Sequence, residues 1–400
     1  MTGIASHPAP DESSSPGNGD VHVLDRRVIM RAAMTSRVPV STLCVLLAAL
    51  AAARPAPSPA QTPSPATPLP LVYILATGGT ISGKGPTSTS LADYKAGALR
   101  GDELVATVPE IAQVARVKVE QIANISSTDI TTAHWLTLAK RINEIFAADP
   151  AVAGVVVTHG TNTIEETAYF LNLTVHDERP VVVVGSMRPA SAISADGPLN
   201  LLNAVRTAAS KDAAGKGALV VLNDEINAAR DVTKTNTYRV ETFRSGELGL
   251  LGYVDADGIA LYRAPLKRHT SRSEFDVRAL TTLPAVDILY SYVEPSPTLA
   301  AALVAAGVRG IVVAGTGAGL MSTPEREALN ALMSGPEARR PIVVRSNRTG
   351  NGRVIPQAET DAIGMVPGDN LSPQKARILL MLALTRTRDL AEIRRMFTEY

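Results

Sequence analysis

The 400-residue chain holds one cysteine, Cys44, so no disulfide framework can form within it. Its formal charge is only +1, and no long basic or acidic block runs through it. Nucleic-acid binding therefore lacks its electrostatic footprint. No apolar run approaches the roughly 20 residues that a membrane-spanning helix needs. No group of His, Cys, Asp or Glu has the spacing of a metal site. The reading these absences leave is a soluble protein with small-molecule partners or none.

The longest apolar run, "STLCVLLAALAAA" at 41–53, has the length of a signal-peptide core. Arg37 precedes it, and "SPAQ" offers a small-x-small cleavage site after Ala60. The expected organisation is a presequence and secretory signal over 1–60, with translation starting at Met34 as one option, then a Pro-rich linker over 61–69. Arg26-Arg27 matches a twin-arginine signal poorly. Export removes Cys44, which leaves the mature protein no thiol nucleophile. The expected location is periplasmic or secreted, with no membrane contact after cleavage.

Beyond the linker, short apolar runs alternate with helical patterns. "LVYILAT" (71–77), "AGVVVTH" (153–159), "PVVVVGS" (180–186) and "GALVVLND" (217–224) are nearly continuous Val, Ile and Leu, as buried parallel strands should be. "TTAHWLTLAKRINEIFA", "EETAYFLNLTV" and "GPLNLLNAVRTAAS" have helix periodicity. The alternation predicts an α/β protein: a larger N-terminal domain over 70–264, built on a mostly parallel open sheet with helices on both faces. A polar stretch over 265–284 serves as interdomain linker, and a smaller C-terminal α/β domain fills 285–400.

Polar residues gather where these strands end. "ATGGTISGKG", "QIANISSTD", "THGTN" and "GSMRP" each follow an apolar run. Ligands of open α/β sheets bind beyond the carboxyl ends of strands, and a hydroxyl there becomes a nucleophile if a base lies near. Gly78, Gly83 and Lys84 match part of a phosphate-binding loop, but Gly85 stands where magnesium needs Ser or Thr. A Gly-rich lid is the better reading. Lys234, in the hydroxyl-rich "RDVTKTNT", becomes a base if desolvated. His159 directly follows a buried strand and reads as scaffold. "NTIEE" reads as an N-cap at Asn162 with Glu165 closing a capping box.

Together these pieces resemble the bacterial L-asparaginases and glutaminase-asparaginases, especially the exported type II enzymes. The resemblance spans about 70–400 and rests on "ILATGGTI", "THGTNTIEETAYFL", "VGSMRP" with "SADGPLNL", "ARDVTKTNT", "RTGNG" and "LSPQKARILLMLALT". It implies a two-domain asparaginase-like fold and hydrolysis of a side-chain amide through an acyl-enzyme. Thr80 matches the primary nucleophile, Tyr94 the lid tyrosine that activates it, Thr161 the second threonine, and Lys234 the lysine behind it. Ser127 and Thr128 match positions near the substrate α-carboxylate, and Ser186 a small residue near the amide. Glu359 matches the acid that reaches the α-ammonium from a neighbouring subunit. The resemblance implies L-asparagine as substrate, with L-glutamine as the broader alternative. It also implies a homotetramer built as a dimer of dimers, and no metal or organic cofactor.

Two positions depart from that pattern. The family usually carries Asp after HGT, to bind the substrate ammonium; here Asn162 stands there. Leu320 in "GTGAGL" replaces a polar residue that the family presents to the partner subunit. A lost carboxylate–ammonium hydrogen bond costs about 1.5–3 kcal/mol, or roughly 10- to 100-fold in affinity. Two readings follow: a working amidohydrolase with weakened substrate affinity, or an exported amino-acid-binding homologue with little activity.

Overall fold

The computed structural model describes residues 68–400; the expected signal, its expected cleavage site and most of the expected Pro-rich linker lie outside them. The first strands are β1 Leu71–Gly78, β2 Arg116–Ile125, β3 Val152–Thr158, β4 Val181–Val184, β5 Ala218–Leu222 and β6 Glu225–Ala228. A short ribbon follows, β7 Thr233–Lys234 with β8 Phe243–Arg244, then a hairpin, β9 Gly252–Asp255 with β10 Gly258–Leu261. β11 Val286–Tyr290, β12 Gly310–Gly315, β13 Ile342–Asn347 and β14 Val366–Pro367 complete the set.

The large sheet runs β10-β9-β6-β5-β4-β3-β1-β2, and the small one β11-β12-β13-β14. β2, β1, β3, β4 and β5 pair in parallel, as their unbroken apolar runs predict. β6, β9 and β10 add an antiparallel edge. The backbone reverses at Asn223 and Asp224, whose φ values of 52° and 63° suit the tight turn of a two-residue hairpin. The apolar pattern alone places those two residues at the end of a strand. The small sheet is parallel throughout.

The helix Ile164–Thr174 is buried along nearly its whole length. Its Tyr169, Phe170, Leu171 and Leu173 share one core with Val155 and Val181 of the large sheet and with Leu379 and Leu380 of the helix Pro373–Ala383. Trp135, on the helix Thr132–Ala148, stacks on Phe170 at 5.2 Å. A helix buried on nearly every side, with its buried Glu165, Thr167 and Asn172 all hydrogen-bonded, is a core element. It anchors the turn that precedes it.

The polar stretch expected to be a linker is not a free tether. Phe275 and Val277 are buried, and Phe275 packs on Tyr400 at 5.0 Å. Two apolar residues suffice to hold an aperiodic segment against the core.

β1 is the turning point of the large sheet. The backbone steps to one side to form β2, then crosses back to form β3, β4 and β5 on the other. In such sheets the crevice opens beyond the carboxyl ends of the two strands flanking the reversal. Here those are β1 and β3, which lead into Thr80 and Thr161.

Candidate active site

Glycine lets the turns after β1, β2 and β3 stack. Gly79 has φ 85°, and a Cβ there would lie 2.3 Å from Gly160 Cα. A Cβ on Gly160 would lie 2.6 Å from Ser127 Oγ. No larger residue fits either place. The contact brings Thr80, Ser127 and Thr161 to one crevice, all three buried.

Thr80 begins a single 3-10 turn, Thr80–Ser82. Its hydroxyl hydrogen-bonds the Tyr94 hydroxyl at 2.8 Å. Tyr94 sits on the loop that leaves this turn and returns through a backbone bridge between Lys84 and Lys95. The ring lies against Gly83, where a Cβ would meet it at 2.9 Å. The loop is held in place from across the crevice: Ala190 N–H donates to Gly83 O at 2.9 Å, Gly85 N–H to Ser191 Oγ at 2.8 Å, and Ile193 N–H to Ser88 O at 2.9 Å. Lys84 is exposed, and no helix long enough to cradle a phosphate follows it, which removes the phosphate-loop reading.

Lys234 Nζ donates to Thr161 Oγ1 at 2.9 Å and to Asn162 Oδ1 at 3.3 Å. Burial holds its pKa below the usual lysine value, while the Glu165 carboxylate pulls the other way. Glu165 Oε2 accepts the backbone N–H of Lys234 at 2.9 Å, and Oε1 accepts from Gln374 Nε2 at 2.6 Å. The buried Lys375 ammonium donates to Arg230 O at 2.8 Å and Val232 O at 2.5 Å, just ahead of Lys234 in sequence. Nothing in the sequence singles out Glu165, Gln374 and Lys375 for this task. "LSPQK" is a marker of resemblance, but no local feature says that it grips a segment so distant along the backbone.

The capping-box expectation fails here. The helix starts at Ile164, its N-cap is Thr163, and no side-chain hydrogen bond closes its first turn. Thr163 Oγ1 donates to Ser127 O at 2.7 Å, and Glu165 is committed to Lys234 and Gln374. Tertiary partners win over the local cap, so the Asn162 amide stays at the crevice. Its backbone N–H donates to Ser127 Oγ at 3.2 Å.

The remaining expected residues each have partners of their own. Thr128 is exposed and gives its hydroxyl to Ser126 Oγ at 2.8 Å. Ser186 is fully buried, with its hydroxyl on Arg188 O at 2.6 Å. Glu359 lies on the helix Ala358–Ala362, ion-paired to Arg326 at 3.1 Å. Leu320 is exposed, closing a backbone pair with Thr316. His159 is buried and structural in character. Trp135 Nε1 donates to Thr167 Oγ1, so the Thr167 hydroxyl donates on to His159 Nε2, and Nδ1–H donates to Gly160 O. Burial lowers the His159 pKa to about 4 and keeps the ring neutral.

A cleft of about 660 Å³ collects Tyr94, Thr161, Asn162 and Lys234. Leu91 and Ala92 of the lid, Met187 and the segment from Thr235 to Tyr238 form its rim. Thr161 and Lys234 thus face the same space as Tyr94, whose hydroxyl leads back to the buried Thr80. The set suits nucleophilic attack by a hydroxyl, with proton acceptors at hand.

Residues 71–267 match the family model described as "Asparaginase, N-terminal", and residues 285–397 match "Glutaminase/Asparaginase C-terminal domain". The protein is 50% identical over 333 residues to L-asparaginase 2 of Bacillus subtilis, a match spanning 83% of its length and 87% of the relative. It is 46% identical over 336 residues to the glutaminase-asparaginase of Pseudomonas fluorescens biotype A, spanning 84% and 91%. Among solved structures it resembles a probable cytoplasmic L-asparaginase from Campylobacter jejuni, with TM-score 0.80, 45% identity, and coverage of 83% of the present protein and 100% of that one.

Proposed function

The chain belongs to the asparaginase family of amidohydrolases, and we propose that it hydrolyses the side-chain amide of L-asparagine to L-aspartate and ammonia through an acyl-enzyme on Thr80. The observation that carries this reading is that Tyr94, Thr161 and Lys234 line one cleft, with Thr80 hydrogen-bonded to Tyr94 at 2.8 Å and Thr161 to Lys234 at 2.9 Å.

Thr80 Oγ1 attacks the amide carbonyl as its proton passes to the Tyr94 hydroxyl, which hands its own proton on toward the amide nitrogen. The C–N bond breaks, the nitrogen takes that relayed proton and leaves as ammonia, and an ester to Thr80 remains. The Thr161–Lys234 pair then activates water, which cleaves the ester to the carboxylate and frees Thr80. Desolvation of Lys234 favours the neutral amine that this step requires. The lid excludes bulk water while the ester exists. Ser127 holds the turn that carries Thr161 and Asn162.

A broader glutaminase-asparaginase is the second reading, favoured by the likeness to the Pseudomonas enzyme of that name. The two substrates differ by one methylene, which a pocket discriminates by about 1–3 kcal/mol. We further propose a homotetramer with Glu359 and Leu320 at a subunit boundary, and export directed by the apolar run at 41–53.

The test is ammonia release by the purified protein from saturating L-asparagine, L-glutamine and side-chain amides of related acids. Thr80→Ala is expected to lower kcat by about 1000-fold or more on every amide that turns over. Retention of more than a tenth of the activity would sink the Thr80 mechanism.

A further inference from the structure

Lys234 stands on the short ribbon of β7 against β8. A two-stranded ribbon is marginally stable by itself. Downstream of Lys234 the ribbon is tied to its returning strand: the Thr235 backbone N–H and hydroxyl both donate to Thr242 O at 2.8 Å. Upstream there is no such tie. Arg230 and Val232 are buried, yet among the described residues no backbone N–H donates to either of their carbonyls. A buried carbonyl without a donor is costly, so the group that takes these two fixes the segment.

That group is Lys375. Its ammonium reaches from the helix Pro373–Ala383 and donates to Arg230 O at 2.8 Å and Val232 O at 2.5 Å. Burial lowers its pKa to about 8, with the Glu165 and Asp231 carboxylates opposing the fall, so the charged form prevails at neutral pH. Hydrogen bonds from a charged donor are about twice as strong as neutral ones. Gln374, the preceding residue, holds Glu165, which accepts the Lys234 backbone N–H. Adjacent residues of one helix thus brace the stretch from Arg230 to Lys234 at both ends. An apolar residue would pack at this buried position without the desolvation cost of an ammonium. What the ammonium adds is a fixed place for the two carbonyls.

Resting on the amidohydrolase reading, we propose that Lys375 is a positioning residue for hydrolysis of the acyl-enzyme: by clamping Arg230 O and Val232 O it sets where Lys234 meets Thr161. In that step water adds to the ester carbonyl and gives one proton to Lys234 by way of Thr161. The C–O bond to Thr80 breaks, Thr80 Oγ1 takes up that proton, and the new carboxyl group ionises. The earlier step, formation of the ester, uses Thr80 and Tyr94, which the turn after β1 and its lid carry rather than the segment that Lys375 holds.

The experiment measures kcat, KM and pre-steady-state ammonia release from L-asparagine by the wild-type protein and by Lys375→Met. Ammonia leaves when the ester forms, before the step that Lys375 serves. Slowed hydrolysis of the ester therefore lowers kcat and KM together and gives a burst of about one ammonia per active site ahead of a slow steady state. A misplacement of about 1 Å costs on the order of 100-fold, so kcat and KM should each fall roughly 10- to 100-fold, with kcat/KM within about threefold of wild type. Loss through misfolding alone lowers kcat and kcat/KM alike and adds no burst. That pattern, or a kcat within about threefold of wild type, overturns the inference while the amidohydrolase reading stands. Lys375→Gln keeps a donor for one carbonyl and should show the expected pattern with a smaller fall; it decides the matter where the Met variant does not fold. Failure of both variants to fold gives Lys375 a structural task alone and likewise overturns the inference. If the wild-type protein releases no ammonia from L-asparagine, the amidohydrolase reading fails and takes the inference with it.

Discussion

Glu165 Oε2 accepts the backbone N–H of Lys234 at 2.9 Å, across 69 residues of sequence. One carboxylate thereby fixes where the lysine stands and raises its affinity for a proton, against the desolvation that lowers it. The same carboxylate reaches through Gln374 to the helix Pro373–Ala383, so both halves of the protein support the Thr161–Lys234 pair.

Glu165→Gln tests this support. It keeps an oxygen to accept from the Lys234 backbone but removes the charge. With that charge gone, the Lys234 pKa falls further, and the neutral amine persists to lower pH. The acidic limb of the kcat profile should move to lower pH while maximal kcat drops several-fold as the Gln374 contact is disturbed. A limb that stays put, or moves to higher pH, would show that Lys234 does not set it.

Gly79→Ala addresses the stacked turns. The substitution meets a left-handed φ of 85° and a backbone contact of 2.3 Å. Strain and clash together should destabilise the fold by about 3 kcal/mol or more, with loss of turnover even where the protein stays folded. Gly215→Ala is the control, since it has φ 69° but open space around its Cβ. Its cost should be about 1–2 kcal/mol, that of placing an L residue in left-handed backbone. Urea unfolding of both variants checks the contrast, and equal losses would refute the close-approach argument.

His159 makes stability depend on acid. Its folded pKa of about 4 lies below the free value of 6.5, so the unfolded state takes up the proton first as pH falls. Stability is therefore intact above about pH 6.5 and declines toward pH 4, by roughly 3 kcal/mol at most. His159→Gln removes the titration. The stability advantage of wild type over this variant should shrink steadily as pH is lowered through that window. A constant difference from pH 7 to pH 4 would contradict the assignment of a buried neutral ring.

Much of this protein is legible from sequence. Continuous Val and Ile runs announce β1, β3, β4 and β5 because strands covered on both faces have no polar side to show. The hydroxyl-rich strand ends mark Thr80 and Thr161, because strand ends are where an open sheet leaves room for ligand. Resemblance joins Tyr94 and Lys234 to them. β6, β9 and β10 are not legible, being short, with few residues to build a pattern. The cap expected at Asn162 fails for a different reason. Local propensity favours it, but propensity is a weak prior against a carboxylate with two tertiary partners.

The sequence by itself determined the alternation of buried strands and helices, and the residue types gathered at the strand ends. Those follow from residue polarity and spacing, which need no third dimension. Only the tertiary structure decided that Asn162 keeps its amide beside Lys234, that Glu165 serves Lys234 rather than its own helix, and which partners Ser186, Thr128 and Glu359 take within the subunit. Each of those outcomes is a competition for hydrogen-bond partners, several of them between residues far apart in sequence, and such a competition has no local signature.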